Sequence, residues 1–190
     1  MGNFYIALND IPPQGQHITL DEPAIWQTPL EEFHMECRIV APLRAELLLL
    51  PTDGGCLIRG TLTGAVVLPC DRCAEDAPAE ISHTVEQFAA LPRQDALSEE
   101  EDDDDTDDDS NHVVLEKGVP MLDLAALCWE EFMLALPLRP LCSPQCKGLC
   151  AQCGVNLNTG TCSCVKDSGD PRLAALRQFK VQKPDTTPGK

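Results

Sequence analysis

Eight of the eleven cysteines in this 190-residue chain fall at spacings suited to sharing a metal ion. Cys70 and Cys73 frame Asp71-Arg72. The other six lie in one 23-residue stretch, Cys142-x3-Cys146-x3-Cys150-x2-Cys153-x8-Cys162-x-Cys164. Two thiolates three positions apart can reach one ion from a tight turn. A glycine after the second, as at Gly154, lets backbone amides turn toward the sulfurs. One C-x2-C alone is weak evidence; four ligand pairs in a chain this short are strong evidence for tetrahedral thiolate sites.

Eight ligands make two four-thiolate sites. The nearest-neighbour partition joins Cys150, Cys153, Cys162 and Cys164 as a ribbon-like site and leaves Cys142 and Cys146 to meet Cys70 and Cys73. A second partition joins Cys142, Cys146, Cys150 and Cys153 and leaves Cys162 and Cys164 over. Spacing does not decide between them. The expected cofactor is two structural zinc ions, because a catalytic site keeps an open position and usually a His or Glu. His17, His34, His83 and His112 all lie outside the cluster, although His83 falls near the expected hairpin. A redox or iron–sulfur protein is the rival reading. The spacings match neither ferredoxin run, and Cys70–Cys73 lacks the βαβ context of a thioredoxin-like motif. Cys37, Cys56 and Cys128 have no partner at ligand spacing.

An odd cysteine count, without a basic n-region and apolar run at the N-terminus, argues for a reduced, cytoplasmic setting rather than a disulfide framework. No stretch approaches the roughly 18 apolar residues of a membrane helix. The net charge of −17 is uneven. Ten of the eleven residues from Glu99 to Asp109 are acidic, whereas residues 139–190 hold eight Lys/Arg against three acids. Like charges at the first density cannot bury apolar area, so residues 92–111 read as a disordered linker. The basic segment leaves room for a polyanionic partner. No nucleophile elbow, Walker loop or dinucleotide fingerprint is present, so no catalytic residue is assigned.

Residues 1–91 read as β-rich. Short strands and loops are expected over 1–30, a strand near Phe33–Val40, and an aliphatic run at Arg44–Leu50 before the turn signal Pro51-Thr52-Asp53-Gly54-Gly55. Alternation of Ile58, Leu62, Val66 and Leu68, then of Ala79, Ile81 and Val85, predicts an antiparallel hairpin with Cys70–Cys73 at its tip. Gly60 and Gly64 mark a bulge or a close crossing. Asp123 is an N-cap for a helix over Leu124–Ala135, closed by Pro137. Leu124, Leu127, Cys128, Glu131 and Phe132 share one side of it, while Glu130 and Glu131 read as a solvated edge with nothing opposite. Asp170-Pro171 opens a short terminal helix to about Lys180, and 183–190 is a loose tail. The expected fold is α+β: an antiparallel β-sheet packed with one main helix, plus a small zinc-ribbon-like C-terminal lobe within the unit spanning 112–182, which is continuous with 1–91.

The order Cys70-Asp71-Arg72-Cys73, Leu122-Asp123-Leu124, Leu136-Pro137, Leu141-Cys142, Cys146-Lys147-Gly148-Leu149-Cys150-Ala151-Gln152-Cys153-Gly154-Val155-Asn156-Leu157-Asn158, Cys162-Ser163-Cys164 and Asp170-Pro171-Arg172 resembles the YceD-like family of large ribosomal RNA subunit accumulation proteins. The resemblance spans roughly Arg44 to Phe179; the acidic run departs from it. It implies a non-enzymatic ribosome-biogenesis factor needed for accumulation of large-subunit (23S) rRNA. The implied partners are rRNA, a large-subunit precursor or a basic ribosomal protein, with no membrane and no small-molecule substrate. Arg72, Lys147, Lys166, Arg172, Arg177 and Lys180 are the candidate contacts, since each cation meeting a phosphate releases counterions.

Overall fold

The computed structural model describes residues 4–91 and 112–164. The acidic linker and the terminal helix with its tail lie outside the described residues. The chain divides into two compact units, Met1–Gly148 and Leu149–Lys190.

The first unit is built on a four-stranded antiparallel sheet, order β2-β3-β4-β5, with β2 at Gln16–Leu20, β3 at Arg38–Thr52, β4 at Gly55–Pro69 and β5 at Asp76–Ala90. A smaller sheet places β1 (Tyr5–Ala7) and β6 (Val113–Glu116) on either side of β7 (Val119–Asp123). Helices α1 (Ala24–Glu32) and α2 (Leu124–Ala135) complete it. This is the expected α+β class with antiparallel sheets. No helix among the described residues is long and apolar enough to cross a membrane.

The β4–β5 hairpin forms where the period-two pattern placed it. It pairs without interruption from Gly55↔Ala90 to Pro69↔Asp76, and its tip holds Cys70–Glu75. Ile58, Leu62 and Val66 on β4 and Ala77, Ile81, Val85 and Ala89 on β5 are buried, while Arg59, Thr61, Thr63, Ser82, Thr84 and Glu86 face out. At the other end, Asp53-Gly54 joins β3 to β4 across the Thr52↔Gly55 pair. Gly60 marks a close crossing: a Cβ there would stand 2.0 Å from the Glu46 carbonyl oxygen. Gly64 faces the stretch where β3 shifts register between Ile39 and Arg44.

Two N-terminal expectations are corrected. Residues 24–32 are helix rather than strand and loop. Pro29 removes one intrahelical hydrogen bond, but Ile25, Trp26 and Leu30 are buried at i, i+1 and i+5, and that burial outweighs the loss. The strand expected near Phe33–Val40 starts only at Arg38, because Phe33 ends α1 and His34 is left-handed, at φ 51°. The β6–β7 hairpin was not anticipated. Its two-residue loop, Lys117-Gly118, has φ of 51° and 81°, the paired positive angles of a type I′ turn.

Asp123 caps α2 as expected: its Oδ1 accepts from the backbone N–H of Ala125 and Ala126, both at 3.0 Å. Leu124, Leu127, Cys128 and Phe132 face the core, where the Phe132 ring meets Trp26 edge-on, with centroids 5.8 Å apart. Cys37, Cys56 and Cys128 are core residues. A second, smaller cluster sits at the hairpin tip: Cys70, Cys73, Ala77 and Cys146, with Leu141 and Cys142 against it.

Candidate metal centres

The eight paired cysteines gather into two quartets, Cys70/Cys73/Cys142/Cys146 and Cys150/Cys153/Cys162/Cys164. Within each, all four sulfurs lie inside 4.8 Å of one another. This is the first of the two partitions. Each quartet falls within one compact unit.

The tip of the β4–β5 hairpin is a knuckle. Cys70 N–H donates to the Glu75 carbonyl at 2.8 Å, and Ala74 N–H donates to the Cys70 carbonyl at 2.9 Å. Ala74 is left-handed, at φ 60°. The second unit repeats this motif. Cys150 N–H donates to the Val155 carbonyl at 2.9 Å, Gly154 N–H to the Cys150 carbonyl at 2.8 Å, and Gly154 has φ 71°. Sequence reading recognised only the second knuckle, because alanine stands where the first would be marked by glycine. The available signal was the shared C-x2-C itself.

Each knuckle receives two further thiols from a different kind of segment. Residues 140–146 are held against the first by Asp71 N–H donating to the Pro140 carbonyl at 2.9 Å, and by Arg72 Nη1 donating to the Cys146 carbonyl at 2.8 Å. In the second unit, Leu149 bridges Asn156, whose Oδ1 accepts from Asn158 N–H at 2.9 Å. Gly160 N–H then donates to the Asn156 carbonyl at 2.8 Å. That turn reverses the chain and returns Cys162 to the knuckle.

Sulfur separations test the fit of a metal. Tetrahedral zinc with bonds of about 2.3 Å puts its sulfurs about 3.8 Å apart. Cys70–Cys146 stand at 3.8 Å, Cys73–Cys142 at 3.5 Å, Cys150–Cys162 at 3.3 Å and Cys153–Cys162 at 3.7 Å. In a multi-iron cluster the thiolates end on different irons, so four sulfurs this mutually close suit one ion better. Electrostatics agree. Backbone N–H groups, first that of Cys142 and then those of Arg72 and Cys73, pull the Cys70 thiol down to about 6. Those of Cys153 and Gln152 pull Cys150 to about 6. Crowding by neighbouring sulfurs, first Cys73 for Cys142 and Cys162 for Cys164, pushes those two thiols up to about 12. Four thiols so placed ionise together only around a cation. The quartets differ in setting: Cys70, Cys73 and Cys146 are buried, whereas Cys153 and Cys164 are exposed.

Of the candidate cationic contacts, Arg72 and Lys147 are exposed beside the first quartet, and Gly148 packs so closely that a Cβ would stand 2.9 Å from the Arg72 carbonyl oxygen. Lys166, Arg172, Arg177 and Lys180 lie outside the described residues.

One expectation on α2 is overturned. Glu131 is 3% exposed and meets His83, from the inner face of β5, at 2.7 Å; Glu130 meets His112 at 2.8 Å. Both carboxylates have a histidine opposite. Each histidine comes from outside α2, 48 positions away for His83 and 18 for His112, so helical spacing alone does not reveal the pairs.

Comparison with known proteins places this arrangement. The family described as "Large ribosomal RNA subunit accumulation protein YceD" matches residues 58–180, a span that holds both quartets. The chain belongs to the YceD family. Similar proteins include an uncharacterized protein of Mycobacterium bovis, 26% identical over 187 residues, covering 90% of this chain and 86% of the relative. A YCED homolog 1, chloroplastic, of Zea mays, named as a large ribosomal RNA subunit accumulation protein, is 31% identical over 131 residues, covering 55% of this chain and 42% of the relative. The Arabidopsis thaliana protein of the same name is 34% identical over 68 residues, 34% of this chain and 21% of the relative. No solved structure matches. The YceD name describes an accumulation factor tied to the large ribosomal subunit, which supports a role in ribosome biogenesis.

Proposed function

We propose that this YceD-family chain is a non-enzymatic, cytoplasmic factor of large-subunit assembly that sustains 23S rRNA levels. In this reading it carries two structural zinc ions. The single observation that supports it most is the family match across 58–180. Cys70, Cys73, Cys142 and Cys146 hold one ion; Cys150, Cys153, Cys162 and Cys164 hold the other. Zinc supplies a closed thiolate cross-link there, and the sulfur separations support a single ion in each site. Residues 1–91 and 112–182 act around those cross-links, with 92–111 as a linker and 183–190 as a tail. The contact is a pre-large-subunit particle, through its rRNA or a basic ribosomal protein, with no small-molecule substrate. Arg72, Lys147, Lys166, Arg172, Arg177 and Lys180 are the cations that meet phosphates.

A depletion strain examined on a ribosome gradient tests the reading: reduced 23S rRNA and a reduced large-subunit peak are expected, and normal levels of both refute it. Elemental analysis of aerobically purified protein is expected to give about two zinc ions per chain. Iron with labile sulfide would replace the zinc assignment with the iron–sulfur one. Particle association is expected to weaken steeply with salt, and charge reversal of Arg172, Arg177 and Lys180 should flatten that slope.

A further inference from the structure

Between α1 and α2 the surface opens into a groove of about 350 Å³, lined among others by Phe4, Ile25, Pro29, Phe33, Ala126 and Trp129. The chain has only eight aromatic residues, and three of them line this groove. Phe33 is 62% exposed and stacks on Trp129, with ring centroids 6.0 Å apart and planes 16° from parallel. Trp129 rests in turn on Phe132, at 5.6 Å, which is fully buried. The exposed pair is thereby packed onto the core. Single exposed apolar residues need no explanation, but a concave apolar surface walled by a stacked aromatic pair has the form of a binding groove.

Charge narrows what fits. No Lys or Arg occurs in residues 1–37 or 118–138, so neither helix nor its near flanks carries one. Asp21, Glu22, Glu31, Glu32 and Glu36 around α1 are all exposed, and Glu32 lines the groove itself. Among the described residues lining the groove the one charged group is Glu32, so a nucleic acid entering here would meet an acid and no cation to pair with its phosphates. A second copy docking by the same face would set one Glu32-bearing α1 against another, with no Lys or Arg on either helix. Apolar anchors flanked by Lys and Arg satisfy floor and rim together, which is the pattern of an amphipathic helix in a groove. Acidic rim charge would also speed encounter with such a segment.

We propose that the groove between α1 and α2 docks a Lys/Arg-rich amphipathic segment of another protein, its apolar side chains seated against Phe33 and Trp129. The proposal rests on the proposed function for the source of that segment, a basic ribosomal protein of the forming subunit.

The test uses the full chain and a fluorescein-labelled helical peptide with Leu at i, i+4 and i+7 and Lys at its other positions. The Lys peptide binds, and the same peptide with Glu for Lys does not. Thr28→Arg and Ala126→Arg, both at exposed groove positions, each weaken binding at least tenfold. A chain with 99–109 replaced by Gly and Ser keeps it. Unchanged affinity in both Arg variants, or loss of binding in the Gly/Ser chain, overturns the proposal, since the acidic run would then be the binding site. A photo-crosslinker at position 126, used on isolated precursor particles, captures a Lys/Arg-rich ribosomal protein; capture of rRNA or of a second copy overturns it. Failure here is separable from failure of the proposed function. If Ala126→Arg fully restores rRNA to a depleted strain, the groove proposal falls while the family function stands. If depletion leaves rRNA normal, the function falls and the peptide experiment still decides the groove.

Discussion

Removing one ligand from each quartet should destabilise the chain very unequally. The comparison is Cys142→Ala against Cys164→Ala in zinc-loaded protein. Zinc stabilises the fold only by binding it more tightly than it binds the unfolded chain. In the second quartet the longest separation between adjacent ligands, Cys153 to Cys162, is nine positions. An unfolded chain can therefore wrap those four thiols around zinc at small cost, and much of the native binding energy cancels. In the first quartet Cys73 and Cys142 are 69 positions apart. Closing the longer loop costs the unfolded chain about (3/2)RT ln(69/9), or about 2 kcal/mol more. On the two-zinc reading proposed above, that difference would appear as extra stabilisation of the native state by the ion in the first quartet. Both tryptophans, Trp26 and Trp129, lie in the first unit, so fluorescence reports its unfolding alone. At about 2–4 °C per kcal/mol, Cys142→Ala should lower that Tm by at least about 4–8 °C more than Cys164→Ala, whose quartet belongs to the unit the tryptophans do not report. Chelator should erase the difference between the two variants. Equal shifts with zinc present, or a larger shift for Cys164→Ala, would refute the reasoning.

Further outcomes follow from the same geometry. His83→Leu strands the buried Glu131 carboxylate and should cost about 3 kcal/mol in urea melts, whereas His83→Leu with Glu131→Leu should recover most of that loss; a double variant no better than the single would sink the pairing argument. Thiolates are the species that alkylate, and at pH 7 Cys150 lies above its lowered value near 6, while burial holds Cys128 at about 12 and raises Cys37 and Cys56. Iodoacetamide after chelation should therefore label Cys150 early and leave Cys37, Cys56 and Cys128 unmodified until denaturation, as read by peptide mass spectrometry; early label on Cys128 contradicts this. Ala74→Gly relieves a left-handed alanine, so it should raise chemical stability by about 0.5–1 kcal/mol, and Gly154→Ala should weaken zinc retention in the second quartet. Zinc release to a colorimetric chelator and urea midpoints check the pair.

The hairpin, the α2 cap and the eight cysteines were legible because each is written in local spacing: period two along β4 and β5, an aspartate before an apolar run, and thiols paired two to four positions apart. What was missed depends on distance through space. Helix α1 carries two prolines in or beside it, and only its burial of Trp26 against Phe132 makes it favourable. The Glu131–His83 pair joins residues 48 positions apart. The β6–β7 hairpin had a local signal in Lys117-Gly118, but its strands are short and owe their place to β1, more than a hundred residues earlier.

The choice between the two cysteine partitions shows what spacing cannot carry. Cys142, Cys146, Cys150 and Cys153 are closer in sequence to one another than Cys142 is to Cys73, so loop entropy alone favours the local quartet. The fold reverses that preference before any ion is considered. β4 and β5 are paired over their full lengths, so the knuckle sits at the end of an uninterrupted ladder. Pro140 then accepts from Asp71, Cys146 accepts from Arg72, and Gly148 is small enough to lie against the Arg72 carbonyl. These contacts use backbone groups and one guanidinium, and none requires a metal. They carry Cys142 and Cys146 to the hairpin tip and leave Cys150 and Cys153 to pair with Cys162 and Cys164. Arg72 thus helps to hold Cys146 at the hairpin tip from inside the first C-x2-C. A cation at that position is explained by the architecture of the site, whatever further contact its exposed face makes.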